Sequence, residues 1–276
     1  MIPRANVLNW RKFSPWVGDE QVEQDLILSR ILVELYTDPI ISETLTFRGG
    51  TALQKLFINP AVRHSEDIDF VQIVPGPIGP IIDAIRKHLD PWLGIPKRKL
   101  SRGVKLIYRY SPVNPIISSM SIKIEINTRE HFSILGIQEK KLVVENPWFS
   151  GIAMIKSFFL EELLGTKMRA LYQRKKGRDL FDLAYFLRKI SFLKGQDIAK
   201  IFGIYMEKEG KKVSRAEFER NLILKMGDAG FREDILPLVS PNIQAILDPF
   251  EDRDILMAQL IPYLPGDPWE NKQKQK

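Results

Sequence analysis

The sequence predicts an α+β protein, with a sheet-bearing half over residues 1–147 and an all-helical half over residues 148–276. Two observations carry this. Segments alternating apolar and polar residues fall only in the first half, at 67–73, Val104–Tyr110 and 121–128. After Pro147 the periodicity is helical and broken by Gly and Pro, with no alternating strand from Ile152 onward. Strands followed by a run of helices, rather than interleaved with them, read as α+β and not as a doubly wound sheet. No internal repeat is present.

Each element has a local reason. Asp19–Tyr36 carries Val22, Leu26, Ile27, Leu32 and Leu35 near helical spacing, which predicts a packed helix. Leu45–Arg48 reads as a short strand broken by Gly49-Gly50. A helix over 51–57 follows, with Leu53, Leu56 and Phe57 apolar, and Pro60 ends it. The strand at 67–73 leads into a loop punctuated by Pro75, Pro77 and Pro80, then a helix over 81–89. In 121–128, Ile122, Ile124 and Ile126 share one strand face and Lys123, Glu125 and Asn127 the other. In the second half, Ser214 three residues before Glu217 is a capping-box signal for a helix over 216–226. The polar end, NKQKQK, predicts fraying.

Composition narrows the function classes. The 276 residues are 44% hydrophobic and 27% charged, ordinary for a globular protein. No apolar run approaches the ~20 residues of a membrane helix. The basic start, MIPRANVLNWRKF, lacks the apolar stretch of a signal peptide. Absence of cysteine excludes disulfides and thiolate metal sites, and three scattered histidines (His64, His88, His131) argue against zinc. A cytoplasmic location with no membrane partner is expected. The net charge of +7 favours phosphate-rich partners, although solvated lysines alone give the same balance.

The densest chemical signal is Gly49-Gly50-Thr51 followed by Asp67 and Asp69. Two glycines between strand and helix let a ligand approach the backbone, and the free N–H groups of a helix start suit phosphate. On a strand, Asp67 and Asp69 share a face with Ile68 and Phe70 behind. Their mutual repulsion is relieved by a hard divalent cation, Mg²⁺ or Mn²⁺, bridging them to triphosphate oxygens, as nucleotidyl transfer requires. A wet strand face and a plain turn would leave the same residues. Glu125 offers a third carboxylate, as metal ligand or general base, or else as the partner of a neighbouring cation.

Two basic segments stand out. Lys167, Arg169, Arg174, Lys175, Lys176 and Arg178 precede Asp179 and Asp182, whose i, i+3 spacing puts them on one helix face opposite Leu180, Leu183, Ala184 and Leu187. A lysine here suits a leaving pyrophosphate. The alternative is a solvated face with Arg178 and Asp182 paired, worth only ~0.3–0.5 kcal/mol. The second group, Lys97, Arg98, Lys99, Arg102, Lys105 and Arg109, lies near Trp92, Tyr108 and Tyr110. Such interleaving suits single-stranded RNA, and Tyr108 with Tyr110 equally reads as one packed strand face.

On these residues the chain resembles the AbiEii/AbiGii toxin family of nucleotidyltransferases, within the DNA polymerase β-like superfamily. FRGGTALQKL resembles its first motif and RHSEDIDF supplies R-x-S-x-D-x-D, while KMRALYQRKKGRDLFDLAYFL resembles the later lysine and R-D-x-x-D-L block, so residues 45–187 are covered. The resemblance implies a polymerase β-like core, a mixed sheet flanked by helices, followed by a helical domain that contributes Lys167 and Asp179 to the active site. It implies that Gly49, Gly50, Thr51 and Ser65 surround the triphosphate, and that Asp67 and Asp69 bind metal. It further implies that Lys167 contacts phosphate and that Asp179 is needed for activity. Arg63 fits the motif's arginine, as phosphate contact or loop brace; Glu125 and Asp182 match less closely. The implied partners are a nucleoside triphosphate, an RNA acceptor (tRNA 3′ ends in some relatives) and an antitoxin from a neighbouring gene. The same core on a small-molecule or protein hydroxyl, or a non-catalytic binding protein, are the alternatives.

Overall fold

The apolar repeat of Asp19–Tyr36 forms a helix of those same 18 residues, α2, behind a short α1 (Arg4–Trp10). The structure is a computed structural model that describes residues 2–100 and 103–270; Arg102 and the terminal NKQKQK lie outside the described residues. The chain divides into two compact units, Met1–Phe159 with Leu238–Pro241, and Leu160–Pro237 with Asn242–Lys276.

In the first unit α3 (Pro39–Thr44) leads into β1 (Leu45–Arg48), α4 (Gly49–Leu56) and β2 (Asp67–Gln72). Then come α5 (Gly79–Leu93), β3 (Lys97–Leu100), β4 (Val104–Tyr110), β5 (Met120–Asn127), β6 (Ile137–Asn146) and β7 (Phe149–Phe158). Helix α4 begins at Gly49, two residues before the expected start, because the glycine pair forms its first turn. Helix α5 starts with Pro80 near its N-terminus, where no N–H is missed, and runs past Pro91.

The seven strands form one mixed sheet in the order β3-β4-β5-β2-β1-β7-β6. Strand β2 is central, antiparallel to β1 and parallel to β5. Alternation separates two faces. Phe47, Ile68, Phe70, Leu106, Tyr108, Ile122, Ile124 and Ile126 are buried on one. That face meets the helices: Phe70 lies 6.1 Å from the Tyr36 ring of α2, and the Tyr108 hydroxyl donates to Asp90 of α5 at 3.0 Å. The opposite face carries Asp67, Asp69, Lys123 and Glu125.

Strands β6 and β7 correct the expectation that no strand follows Ile152, and they carry the first unit past residue 147 to Phe159. In β7, Ala153 and Ile155 are buried while Ile152 and Met154 on the other face are exposed, at 58% and 47%. Apolar residues on both faces erase the period-two signal. Strand β3 was hidden for a related reason: Lys97–Leu100 is exposed throughout and held only by pairing with β4.

The second unit is helical: α6 (Leu160–Gln173), α7 (Gly177–Lys189), α8 (Gly195–Lys208), α9 (Arg215–Met226), α10 (Ala229–Glu233), the one-turn α11 (Pro241–Gln244) and α12 (Pro249–Gln259). Leu164, Met168, Leu183, Phe186, Ile198, Phe202 and Phe218 fill its core. The predicted capping box is present, with Ser214 Oγ accepting from Glu217 N and Glu217 Oε2 accepting from Ser214 N at 2.7 Å. Among the described residues no helix is long and apolar enough to cross a membrane.

His64 ties the segment leading into β2 to the rest of the first unit. Its backbone N donates to Leu238 O at 2.6 Å and its ring Nε2 meets Gln24 Oε1 at 3.1 Å. Burial, aided by the charges of Lys55 and Arg63 and opposed by Asp25, lowers its pKa to about 4. The unfolded chain therefore binds a proton that the folded chain refuses, so stability falls as pH drops from ~6.5 toward 4. The difference amounts to roughly 3 kcal/mol across that window. Denaturant titrations at pH 7 and pH 4.5 should show a smaller acid loss for His64→Gln than for wild type; equal losses would contradict this assignment.

Candidate active site

The site grows from the register of β2. Asp69 stands opposite Arg48 of β1 and opposite Glu125 of β5, while Asp67 stands opposite Lys123 of β5. Neighbouring strands lie ~4.8 Å apart and partners share a face. Asp67 and Asp69 therefore share the open face, as their alternation predicts, and the β2–β5 pairing sets Glu125 beside Asp69. Ile68 and Phe70 are buried behind them.

The glycine turn closes one side of this cluster. Gly49 has φ +80, and a Cβ there would run into the Asp69 carboxylate. A Cβ at Gly50 would strike the Arg63 guanidinium and crowd Ser65 Oγ. Thr51 Oγ1 meets Ser65 Oγ at 2.8 Å and also donates to Asp67 O. Gly49, Gly50, Thr51 and Ser65 thus line the backbone between the α4 N-terminus and the start of β2, where free N–H groups suit phosphate. Arg63 is 2% exposed and donates from Nη1 to His64 O at 2.9 Å, so it braces the turn from beneath.

Three cations around the carboxylates were not assigned to the site from sequence. Lys123 Nζ lies 3.2 Å from Asp67 Oδ1. Burial works against its charge, but Asp67, Glu66 and Glu125 outweigh that and raise its pKa. Lys105 Nζ meets Glu125 Oε1 at 2.6 Å, and Arg48 Nη1 meets Glu130 Oε2 at 2.7 Å. Period-two alternation puts Lys123 on the correct face, but only the strand order reveals that it faces Asp67. A cavity of about 430 Å³ opens on the same face, lined by Arg48, Asp69, Lys105, Glu125 and Asn127 among others.

Among the described residues no three His, Asp or Glu side chains converge as a ready-made metal site. The donor set still fits a hard cation of the Mg²⁺ type, which takes one or two carboxylates and completes its shell from phosphates and water. Asp67 and Asp69 supply two such carboxylates on one face, and Glu125 is next to Asp69.

The second unit has its own ion-pair cluster. Lys167 Nζ lies 3.0 Å from both Asp179 Oδ1 and Asp182 Oδ2. Arg174 donates to Asp179 through Nε at 2.7 Å and Nη2 at 2.9 Å. Burial opposes ionisation of Asp179, yet Lys167 and Arg174 hold its pKa at about 2. The sequence alternative pairing Arg178 with Asp182 is corrected. Arg178 lies 3.5 Å from Asp234, and Asp182 instead faces Lys167 from the next helix, which i, i+4 reasoning cannot see.

The comparisons follow this geometry. A family model described as nucleotidyl transferase AbiEii toxin, type IV TA system, matches residues 30–254. JHP933 from Helicobacter pylori is 17% identical, with 87% of this chain and 89% of that chain covered and a TM-score of 0.50. MenT4, a nucleotidyltransferase toxin from Mycobacterium tuberculosis H37Rv, is 16% identical, with 94% and 100% covered and a TM-score of 0.53. At these identities the likeness is one of fold. No curated protein matches the sequence.

Two substitutions test this geometry. Gly49→Ala combines ~1–2 kcal/mol of left-handed strain with contact against Asp69. Transfer activity should fall more than tenfold while the melting transition moves by only a few degrees; unaltered turnover would count against a tight turn. Lys167→Met removes the cation shared by two buried carboxylates and should cost ~3–5 kcal/mol in denaturant melts. Adding Asp182→Asn should recover part of that loss, and no recovery would mean the two side chains are not coupled.

Proposed function

Because the chain belongs to the AbiEii nucleotidyl transferase toxin family of type IV toxin–antitoxin systems, we propose that it transfers a nucleotide from a nucleoside triphosphate to an RNA hydroxyl, tRNA 3′ ends included, using Mg²⁺ or Mn²⁺ held by Asp67 and Asp69. The observation that carries this is the central strand β2, which presents both carboxylates on one open face beside the glycine turn of α4. The bound cation would supply charge stabilisation at the oxygens whose bonds to phosphorus form and break.

The residues divide the work. Gly49, Gly50, Thr51 and Ser65 leave backbone N–H groups and hydroxyls for the triphosphate, with Arg63 fixing the turn. Glu125 is the third carboxylate, as metal ligand or as base for the acceptor hydroxyl once a ligand draws it from Lys105. The family resemblance gives Lys167 a phosphate contact and makes Asp179 necessary for activity; within the second unit the two are bonded to each other. The acceptor oxygen bonds to the α-phosphorus as the bond to the bridging oxygen of the β-phosphate breaks, and pyrophosphate leaves. The net charge of +7 fits a phosphate-rich acceptor. A cognate antitoxin restrains the protein in the cytoplasm.

The test is direct. Purified protein incubated with each labelled triphosphate, Mg²⁺ and total RNA should label RNA, and Asp67→Asn should reduce labelling by about a hundredfold or more without loss of fold. Label on protein or a small molecule instead of RNA would refute the RNA reading. Full activity in the variant would refute the metal assignment.

A further inference from the structure

The open face of the first-unit sheet carries two rows of side chains across its strands. In one, register partners run Arg48, Asp69, Glu125, Lys105 and Lys99, from β1 through β2, β5 and β4 to β3. In the other they run Asp67, Lys123, Ile107 and Lys97. Arg109 shares the face, opposite Ser121. From β2 outward both rows therefore pass from acidic, through ion pairs, to basic, with Ile107 the one apolar member; Arg48, on the β1 side of Asp69, is paired with Glu130. At the β2 end stand Asp67 and Asp69. In the middle, Lys123 and Lys105 are matched by Asp67 and Glu125. At the β3 end Lys97 and Lys99 are exposed, with Arg109 exposed on β4.

Strand spacing of ~4.8 Å sets Lys99 roughly 14 Å from Asp69 in this row. The cavity of about 430 Å³ starts against Asp69 and Arg48, passes Glu125 and reaches Lys105, the register partner of Lys99. Gly103 also lines it, and a Cβ there would strike the Ile126 carbonyl.

We propose that this face is the track for a single-stranded RNA 3′ end. The terminal hydroxyl lies in the cavity near Asp69, and the preceding phosphates are held by Lys99, Lys97 and Arg109. The proposal rests on the reading above that RNA is the acceptor, and it adds the direction from which the strand arrives. The acidic end cannot hold phosphate without a cation, while the basic end can do so unaided, so the strand's polarity is fixed by the charge order. Sequence readout is not implied, because ammonium and guanidinium contacts to phosphate position a strand without distinguishing its bases.

The experiment measures steady-state transfer from labelled triphosphate to a single-stranded RNA oligonucleotide with a free 3′ hydroxyl, and to total RNA, for the full chain. Lys97→Gln/Lys99→Gln should raise the KM for RNA about tenfold or more while kcat at saturating RNA and the KM for triphosphate change less than twofold. Two lost phosphate contacts should also reduce the slope of log KM against log salt by about one to one and a half. The Lys97→Arg/Lys99→Arg variant should restore both values. If the glutamine pair disturbs β3, Arg109→Gln on β4 must show the same selective rise. RNA labelling with an unchanged KM overturns the track alone, and a parallel rise in the triphosphate KM assigns the row to the triphosphate and also overturns it. Failure of wild type to label any RNA overturns the acceptor reading and the track with it.

Discussion

Two carboxylates two residues apart on the middle strand of a sheet impose the condition that the surrounding charges answer. Asp67 and Asp69 cannot turn inward, because Ile68 and Phe70 occupy the core side of β2. They cannot separate, because the strand is pinned between β1 and β5. Their charge must be met on the open face. It is met there by Lys123 across the β5 ladder, with Arg48 and Lys105 beside it on Glu130 and Glu125. The glycine at 49 belongs to the same constraint: the α4 turn approaches Asp69 so closely that no side chain fits. One strand's placement thus decides the turn, the cations and the cavity together.

The ion pairs of the open face and the cluster around Asp179 differ in kind. Asp67 and Lys123 are 35% and 40% exposed, so water screens their attraction and the pair is worth at most about 1 kcal/mol. Such a contact yields readily to a divalent cation or a phosphate, and it suits a site that must exchange ligands. The cluster around Asp179 is closed: its side chain is fully buried and both oxygens are bonded. Desolvation there makes removal of any one member costly, so a loss of activity after substitution at Lys167 or Asp179 confounds folding with chemistry. Asp67 is the cleaner position for separating the two, since nothing buried depends on its charge.

Much of the site was legible because alternation is a local property. Asp67 and Asp69 on one face and the glycine turn at a strand-to-helix junction follow from period and composition, whereas Glu125 joins them only because β5 pairs with β2. What was not legible depends on strand order. That Lys123 answers Asp67, and that Lys105 answers Glu125, requires knowing that β2 and β4 flank β5, which no local pattern encodes. The β6–β7 hairpin escaped for another reason. Val143, Ile152 and Met154 leave apolar side chains on its exposed face, which interrupts the polar half of the alternation. The Arg178–Asp182 pairing failed because a buried lysine on a neighbouring helix competes better for Asp182 than a helix-surface arginine does.

Lysines on an edge strand have an ordinary explanation, since they deter sheets from pairing edge to edge. That explains Lys97–Leu100 as a whole, including Arg98, whose register partner Leu106 belongs to the core face. It does not explain Lys105, which lies where β4 is paired on both sides and has no edge to guard. Nor does it explain why the cavity at Asp69 extends toward this end of the sheet. An edge device acts through backbone shielding and is indifferent to which face its charges occupy. A phosphate track requires the carboxylate face. Lys97, Lys99, Lys105 and Arg109 all meet that stricter condition, and it is the continuity of the row from Asp69 outward that separates the two explanations.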